Sequence, residues 1–288
     1  MTSDLGIHKA GIIGAGTMGA GIAQICAMQN IETVVYDLNQ EALDKANSII
    51  ENNLNKGILR GKLTEENKKQ CLKNLSYTLK LEDIRVDLVI EAVVEKLDIK
   101  QSIFKTLAEH NNSKCIFASN TSSIPISQIA SGIPHPERVI GMHFFNPAHI
   151  MKLVEVISGA STLDQVSQKI YNLALKLGKI PVMVKDSPGF IVNRVARHFY
   201  LESMKCLEEG IAEHKSIDKL IRNAGFRMGP FELMDLIGID TNYSVTTSMY
   251  DAFYQEERFR PSRIQKQKVD SGQWGKKNGQ GFYNYTEK

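Results

Sequence analysis

The sequence predicts an α/β N-terminal domain over residues 1–187 and a smaller all-α C-terminal domain over 188–288. Three observations carry this. Strand-like and helix-like stretches alternate through the first part, the pattern of a mainly parallel sheet with helices on both faces. DLVIEAV (87–93) is an almost uninterrupted apolar run, as suits a parallel strand buried on both sides. From about residue 187 only helical periodicity remains. A chain of 288 residues also suits two domains at roughly 100–200 residues each.

Taken in order, residues 9–14 read as a strand, followed by a glycine turn and a helix over 17–30. ETVVYD (32–37) is the second strand. The helix over 40–56 carries Ala42, Ala46, Ile49, Ile50 and Leu54 at helical spacing. A polar helix over 65–74 follows Thr64, a cap residue, with Asn67 in place of the Glu or Gln of a full capping box. After the strand at 87–93 come a helix over 99–109, a strand over 115–119 and the loop NTSSIP. A strand over 138–144 then pairs with 152–157 across an Asn-Pro turn. Ser187 and Pro188 read as a cap with proline at the first helical position, opening a helix that Gly210 stops. Segments 216–224, 229–238, 241–256 and 262–271 read as further helices. Their apolar faces exceed what one core of about 100 residues needs, which predicts a homodimer through these helices.

Composition removes several classes of function. The chain is 42% hydrophobic and 23% charged, ordinary for a folded soluble protein. Its formal charge of +3 is mild and its basic residues are scattered, so nucleic acid is not the expected partner. The wide spacing of Cys26, Cys71, Cys115 and Cys206 fits neither a zinc site nor a redox pair, and predicts reduced thiols in a cytoplasmic or organelle-matrix protein, the cytoplasm being the expected location. No charged residue occurs between Lys9 and Glu32, a length that could span a bilayer. The five glycines there (Gly11, Gly14, Gly16, Gly19, Gly21) bunch as at a turn between buried elements, which argues against the membrane.

GAGTMG (14–19) matches GxGxxG, placed after a predicted strand and at the start of a predicted helix. Gly14 permits the tight turn, Gly16 removes a Cβ that would block a pyrophosphate, and Gly19 lets helix and sheet approach. With Thr17 and Met18 at the first helical positions, they present backbone amides to the phosphates. Asp37, at the end of the second strand, is placed to accept from the adenosine ribose hydroxyls and to repel a 2′-phosphate. The prediction is a Rossmann-type domain binding NAD rather than NADP. The plainer reading, a turn in a cofactor-free α/β protein with Asp37 as a strand-end cap, explains the spacing less well.

HFFNPAHIMKLVEV (143–156) places His143 and Glu155 twelve positions apart on two strands joined by a turn. Cross-strand partners sit about 5 Å apart at Cβ, so the two can meet. A carboxylate on one imidazole nitrogen fixes the tautomer, and the other nitrogen can then take a proton from an alcohol. Without Glu155, a satisfied core histidine would be the better reading. His8, His110, His135 and His214 lie in polar surroundings.

Together with IFASNTSSIPI, KDSPGFIVNRV, MGPFELMDLIGID and GKKNGQGFY, these motifs resemble the L-3-hydroxyacyl-CoA dehydrogenase family from about Lys9 to Tyr285. The resemblance is nearest to its short bacterial members, which act on 3-hydroxybutyryl-CoA. It implies reversible, NAD-dependent oxidation of a (3S)-3-hydroxyacyl-CoA. His143 is implied as the base, with Glu155 as its partner. Ser122 is implied at the substrate oxygen and the nicotinamide, with Ser119 and Ser123 as neighbouring alternatives. Asn193 is implied in substrate binding and charge stabilisation, and Glu95, Lys100, Asn146 and Lys277 as NAD contacts.

By position, Asn53 and Arg60, with Lys56 close by, match contacts to the nucleotide end of coenzyme A, where the family often has Ser and Lys. A solvated helix face explains the same polar stretch equally well. Ser122 read alone is a turn residue, and Lys277 lies in a Gly-rich tail. Two rival functions keep the fold: oxidation of a free 3-hydroxy acid or sugar acid, and a non-enzymatic structural role.

Overall fold

A computed structural model describes residues 5–286. The chain divides into two compact units, Met1–Ser187 and Pro188–Lys288.

The first unit runs β1 (Lys9–Ile13), α1 (Thr17–Met28), β2 (Glu32–Tyr36), α2 (Gln40–Leu59), α3 (Glu65–Lys73), β3 (Leu75–Thr78), β4 (Leu88–Glu91), α4 (Leu97–His110), β5 (Ile116–Ser119), α5 (Ile126–Ala130), β6 (Val139–Phe144), β7 (Leu153–Ser158), α6 (Asp164–Lys176) and β8 (Ile180–Lys185). Its eight-stranded sheet has the order β3-β2-β1-β4-β5-β6-β7-β8. β6 and β7 pair antiparallel; the other neighbours pair parallel. The central strands β4 and β5 are buried along their whole length, which is why their sequences lack polar alternation. One contiguous core of Ile, Val, Leu and Ala side chains, including Ile12, Ile22, Ile90 and Ala118, joins the sheet to its helices. β1 has β2 on one side and β4 on the other, so chain order reverses there. Open α/β sheets bind ligands at such a point, beyond the carboxyl ends of the strands.

The sequence did not reveal β3, α5, α6 or β8. β3 and β8 are the two edge strands; β3 has no buried residue and β8 exposes Ile180, Val182 and Met183. Pairing with β2 and β7, rather than a local apolar signature, makes them strands. The cap of α3 is stronger than its sequence suggests. Asn67 returns a bond to the Thr64 backbone N–H (3.0 Å) while its own N–H donates to Thr64 Oγ1 (3.2 Å), closing the box with Asn in the Glu position.

The second unit comprises α7 (Val192–Glu208), α8 (His214–Asn223), α9 (Pro230–Ile237), α10 (Ile239–Ala252) and α11 (Arg263–Asp270) around Tyr200, Met204, Phe231, Met234 and Ile239. The Ser187-Pro188 start predicted for α7 is corrected. Gly189 (φ +70°) and Phe190 (φ +51°) take left-handed backbone, so the helix begins at Val192 with Ile191 at its N-cap. His214 is also corrected: its ring packs against Phe231, Phe282 and Tyr283, and burial, with Lys215 next, holds its pKa below the ordinary value. Asp235 ties the C-terminal tail down, accepting from the N–H groups of Phe282 and Tyr283 (both 2.9 Å) and from Tyr285 Oη (3.0 Å). Among the described residues, no helix is long and apolar enough to cross a membrane.

Candidate active site

The glycine loop has the backbone geometry expected at Gly14 and Gly19. Gly14 has φ +102°, and a Cβ there would lie 2.7 Å from the carbonyl oxygen of Ala92. A Cβ on Gly19 would lie 1.8 Å from the carbonyl oxygen of Gly14, so only glycine lets α1 start this close to β1. A Cβ on Gly16 would meet nothing within 4 Å; it would project into open space where a ligand can approach the backbone. Gly16 caps α1 without a side-chain hydrogen bond, and Thr17 and Met18 open the helix, whose first amides have no intrahelical acceptor. Asp37 follows β2 and accepts from Ala15 N–H at one oxygen (2.8 Å) and Asn39 N–H at the other (3.2 Å). A carboxylate offers about four acceptor positions, so both oxygens keep capacity for hydroxyl donors. A cleft of about 660 Å³ runs past Gly14, Gly16, Asp37, Val94 and Asp98. These residues fit a dinucleotide with its pyrophosphate at the helix start and a ribose at Asp37.

In the hairpin β6–β7, His143 and Glu155 are direct cross-strand partners. Nδ1 of His143 lies 2.8 Å from Glu155 Oε2, and both residues are buried. An ionised carboxylate can only accept, so Nδ1 carries a proton; in the neutral imidazole Nε2 is then the nitrogen with the lone pair. Nε2 faces Ser122 Oγ at 3.3 Å. Phe145 packs against the imidazole, with ring centroids 4.6 Å apart. Asn146, exposed at the turn, precedes Pro147 through a cis peptide bond. Buried Lys179 holds the far side of the turn, donating to the carbonyls of Ala148 (2.5 Å) and Met151 (2.9 Å). Asn120 Oδ1 accepts from Phe144 N–H (2.8 Å), tying the serine loop to the histidine strand.

Glu95 and Lys100 lie beneath that serine loop. Oε1 of Glu95 accepts from Thr121 Oγ1 (2.6 Å), Ser122 N–H (2.8 Å), and the N–H and Oγ of Ser123 (both 3.1 Å). Its Oε2 lies 3.1 Å from Lys100 Nζ. Burial alone would push the Glu95 carboxyl up; the Lys100 charge and the bonds from Thr121 and Ser122 hold it below its ordinary value. Lys100, 1% exposed, also pairs with Glu91 (2.7 Å). Sequence reasoning missed Glu91, Thr121, Asn120 and Lys179. For Glu91 a signal existed: it is the only charged residue in the interior of the apolar run 87–93, with Lys100 nine positions on.

Asn53, Lys56 and Arg60 run along one stripe of α2 and its C-cap, at i, i+3 and i+7. Lys56 and Arg60 are exposed. Asn53 Nδ2 donates to Gln24 Oε1 (3.1 Å) and lies 3.5 Å from His149 Nδ1. Burial, then Lys179 and Lys56, hold the His149 pKa below its ordinary value. Asn193 and Lys277 belong to the second unit. Asn193 is in the first turn of α7; Lys277 Nζ pairs with Asp240 (2.5 Å) and sits over the Trp274 ring.

Comparison with known proteins agrees with this chemistry. Residues 9–187 match the 3-hydroxyacyl-CoA dehydrogenase, NAD binding domain, and residues 189–285 match the 3-hydroxyacyl-CoA dehydrogenase, C-terminal domain. The chain is 46% identical to the 3-hydroxyadipyl-CoA dehydrogenase of Escherichia coli over 98% of its own length and 60% of that protein's. It is 40% identical to the probable 3-hydroxybutyryl-CoA dehydrogenase of Deinococcus radiodurans, over 96% of this chain and all of that one. The crystal structure of 3-hydroxybutyryl-CoA dehydrogenase from Escherichia coli superposes with a TM-score of 0.95 at 46% identity, covering 98% of this chain and 60% of that chain. Matches to both domains, continuous along a glycine loop and a paired His–Glu hairpin, mean that the chain belongs to the 3-hydroxyacyl-CoA dehydrogenase family, NAD-dependent enzymes that oxidise 3-hydroxyacyl-CoA thioesters.

Proposed function

We propose that this protein reversibly oxidises short-chain (3S)-3-hydroxyacyl-CoA, foremost 3-hydroxybutyryl-CoA, to the 3-oxoacyl-CoA. The observation that carries the reading is the His143–Glu155 pair at Nδ1 with Ser122 Oγ at Nε2 of the same ring. NAD, when bound, supplies the acceptor for the hydride that leaves C3. His143 Nε2 takes the proton of the 3-hydroxyl, and Glu155 stabilises the imidazolium that results. Ser122 donates to the substrate oxygen and keeps it within reach of Nε2. Gly14, Gly16, Thr17, Met18, Gly19 and Asp37 hold the cofactor, with Asn146 at the hairpin turn. The roles of Asn193 in substrate binding and of Lys277 in cofactor binding rest on the motif match alone.

For the thioester's nucleotide end, Asn53, Lys56 and Arg60 offer one amide and two exposed cations on a single helix stripe, suited to phosphate oxygens. Exposed Val195, Ile211, Leu220 and Phe226 in the helical unit support a homodimer through that unit. Four free cysteines suit the cytoplasm.

The deciding experiment is steady-state kinetics with NAD and NADP on 3-hydroxybutyryl-CoA, 3-hydroxyadipyl-CoA and free 3-hydroxybutyrate. The highest kcat/KM is expected for 3-hydroxybutyryl-CoA with NAD; turnover of the free acid alone would sink the reading. A second reading, preference for a dicarboxylic acyl chain, is favoured by the 46% identity to a 3-hydroxyadipyl-CoA dehydrogenase. It wins if 3-hydroxyadipyl-CoA gives the larger kcat/KM.

A further inference from the structure

Three charged side chains lie under the serine loop, two of them fully buried. Glu91, 0% exposed at the end of β4, accepts from Ser119 Oγ with Oε2 (2.7 Å), and with Oε1 from Lys100 Nζ (2.7 Å) and Val93 N–H (2.8 Å). Lys100 reaches on to Glu95, whose Oε1 gathers Thr121, Ser122 and Ser123. The loop 119–123 is thus gripped at its start by Glu91 and along its length by Glu95, with one ammonium joining the two grips. Burying ions is expensive, and an apolar core of equal volume would often be as stable. What such a set supplies here is fixed geometry: Ser122 Oγ sits 3.3 Å from His143 Nε2.

We propose that Glu91 and Lys100 are positioning residues that act through Glu95 to hold the Ser122 hydroxyl at the catalytic histidine. This deepens, and rests on, the proposed roles of Ser122 and His143.

The test is a double-mutant cycle on the full-length enzyme with 3-hydroxybutyryl-CoA: Lys100→Met, Ser122→Ala and both together, with NADH affinity measured by fluorescence titration. Displacing a group by ~1 Å can cost about 100-fold, so Lys100→Met is expected to lower kcat, measured at saturating NAD, by about 10- to 100-fold. In the Ser122→Ala background the same change should add almost nothing, because the group it positions is gone. Multiplicative losses would make the triad merely structural and overturn the proposal. So would an unchanged kcat.

If Lys100→Met does not fold, Glu91→Gln, which keeps shape and removes one charge, takes its place in the cycle with the same expected pattern and a smaller loss. A wild-type enzyme idle with every thioester would sink the functional reading instead. The proposal would still be decided by a crystal structure of whichever variant folds: it stands if Ser122 Oγ has moved beyond about 4 Å from Nε2, outside hydrogen-bond reach, and falls if it has not.

Discussion

At the scale of single residues, the proposed chemistry rests on which nitrogen of His143 faces the substrate. Glu155 pairs with Nδ1, so the proposal makes Nε2 the base. His143→Gln should lower kcat by about 10²–10⁴-fold, the usual share of general base catalysis, and leave the NADH Kd near wild type; steady-state assays with fluorescence titration measure both. Turnover that survives the change would remove His143 from the mechanism. The pair was legible because a hairpin makes cross-strand partners computable from sequence. His143 and Glu155 straddle the Asn-Pro turn, and the register pairs them directly. Glu91 left a signal as the one charge inside an apolar run, but what it supports was not legible, because its partners Ser119 and Lys100 meet it only once β4, β5 and α4 have packed.

At the scale of elements, the turn between β1 and α1 gives a contrast that measures its two jobs separately. Gly19→Ala places a methyl 1.8 Å from the Gly14 carbonyl oxygen, so α1 must move off the sheet. Both the melting temperature and NADH affinity should fall. Gly16→Ala meets no protein atom within 4 Å, so the melting temperature should hold while NADH affinity falls. Equal melting losses in the two variants would show that Gly16 is structural.

The loop 119–123 carries a pH prediction. Glu95 has a folded pKa below its ordinary value of 4.5, so it binds a proton less readily folded than unfolded. Its stabilising contribution is therefore complete above 4.5 and lost as pH falls through the lower folded value. Lys100→Met removes the largest effect opposing burial, so the folded pKa rises towards or past the unfolded value and the share of acid-side destabilisation due to Glu95 shrinks, while stability at neutral pH falls. Circular dichroism melts across an acid pH series should show a shallower fall in melting temperature with acid for the variant than for wild type. An unchanged slope would mean that Lys100 does not control Glu95.

At the scale of the whole molecule, each unit holds itself together by a different device. The first closes a continuous apolar core around its sheet. The second has a small core and depends on buried acids that collect backbone amides. Asp235 binds the tail at Phe282, Tyr283 and Tyr285, and Asp218 accepts from the N–H groups of Phe231 and Glu232 and from Tyr283 Oη. Asp235→Ala leaves the N–H groups of Phe282 and Tyr283 without their acceptor, at about 1–3 kcal/mol for each buried group. Limited proteolysis should then cut first near residues 276–286, ahead of the first unit; a tail still protected would deny Asp235 that role. Light scattering should give twice the chain mass if the exposed apolar side chains of the helical unit meet in a dimer, and a monomeric mass would end that proposal.

The sequence by itself determined the alternation of strands and helices, the boundary near residue 187, the dinucleotide turn and the His–Glu hairpin. Each depends on residues close in the chain or on a register that two strands must share. Only the tertiary structure decided the edge strands β3 and β8, the late start of α7 at Val192, the aromatic setting of His214 and the charged support under Ser122. These depend on partners brought together by packing, and short segments or single buried charges leave no periodic trace by which the chain alone could announce them.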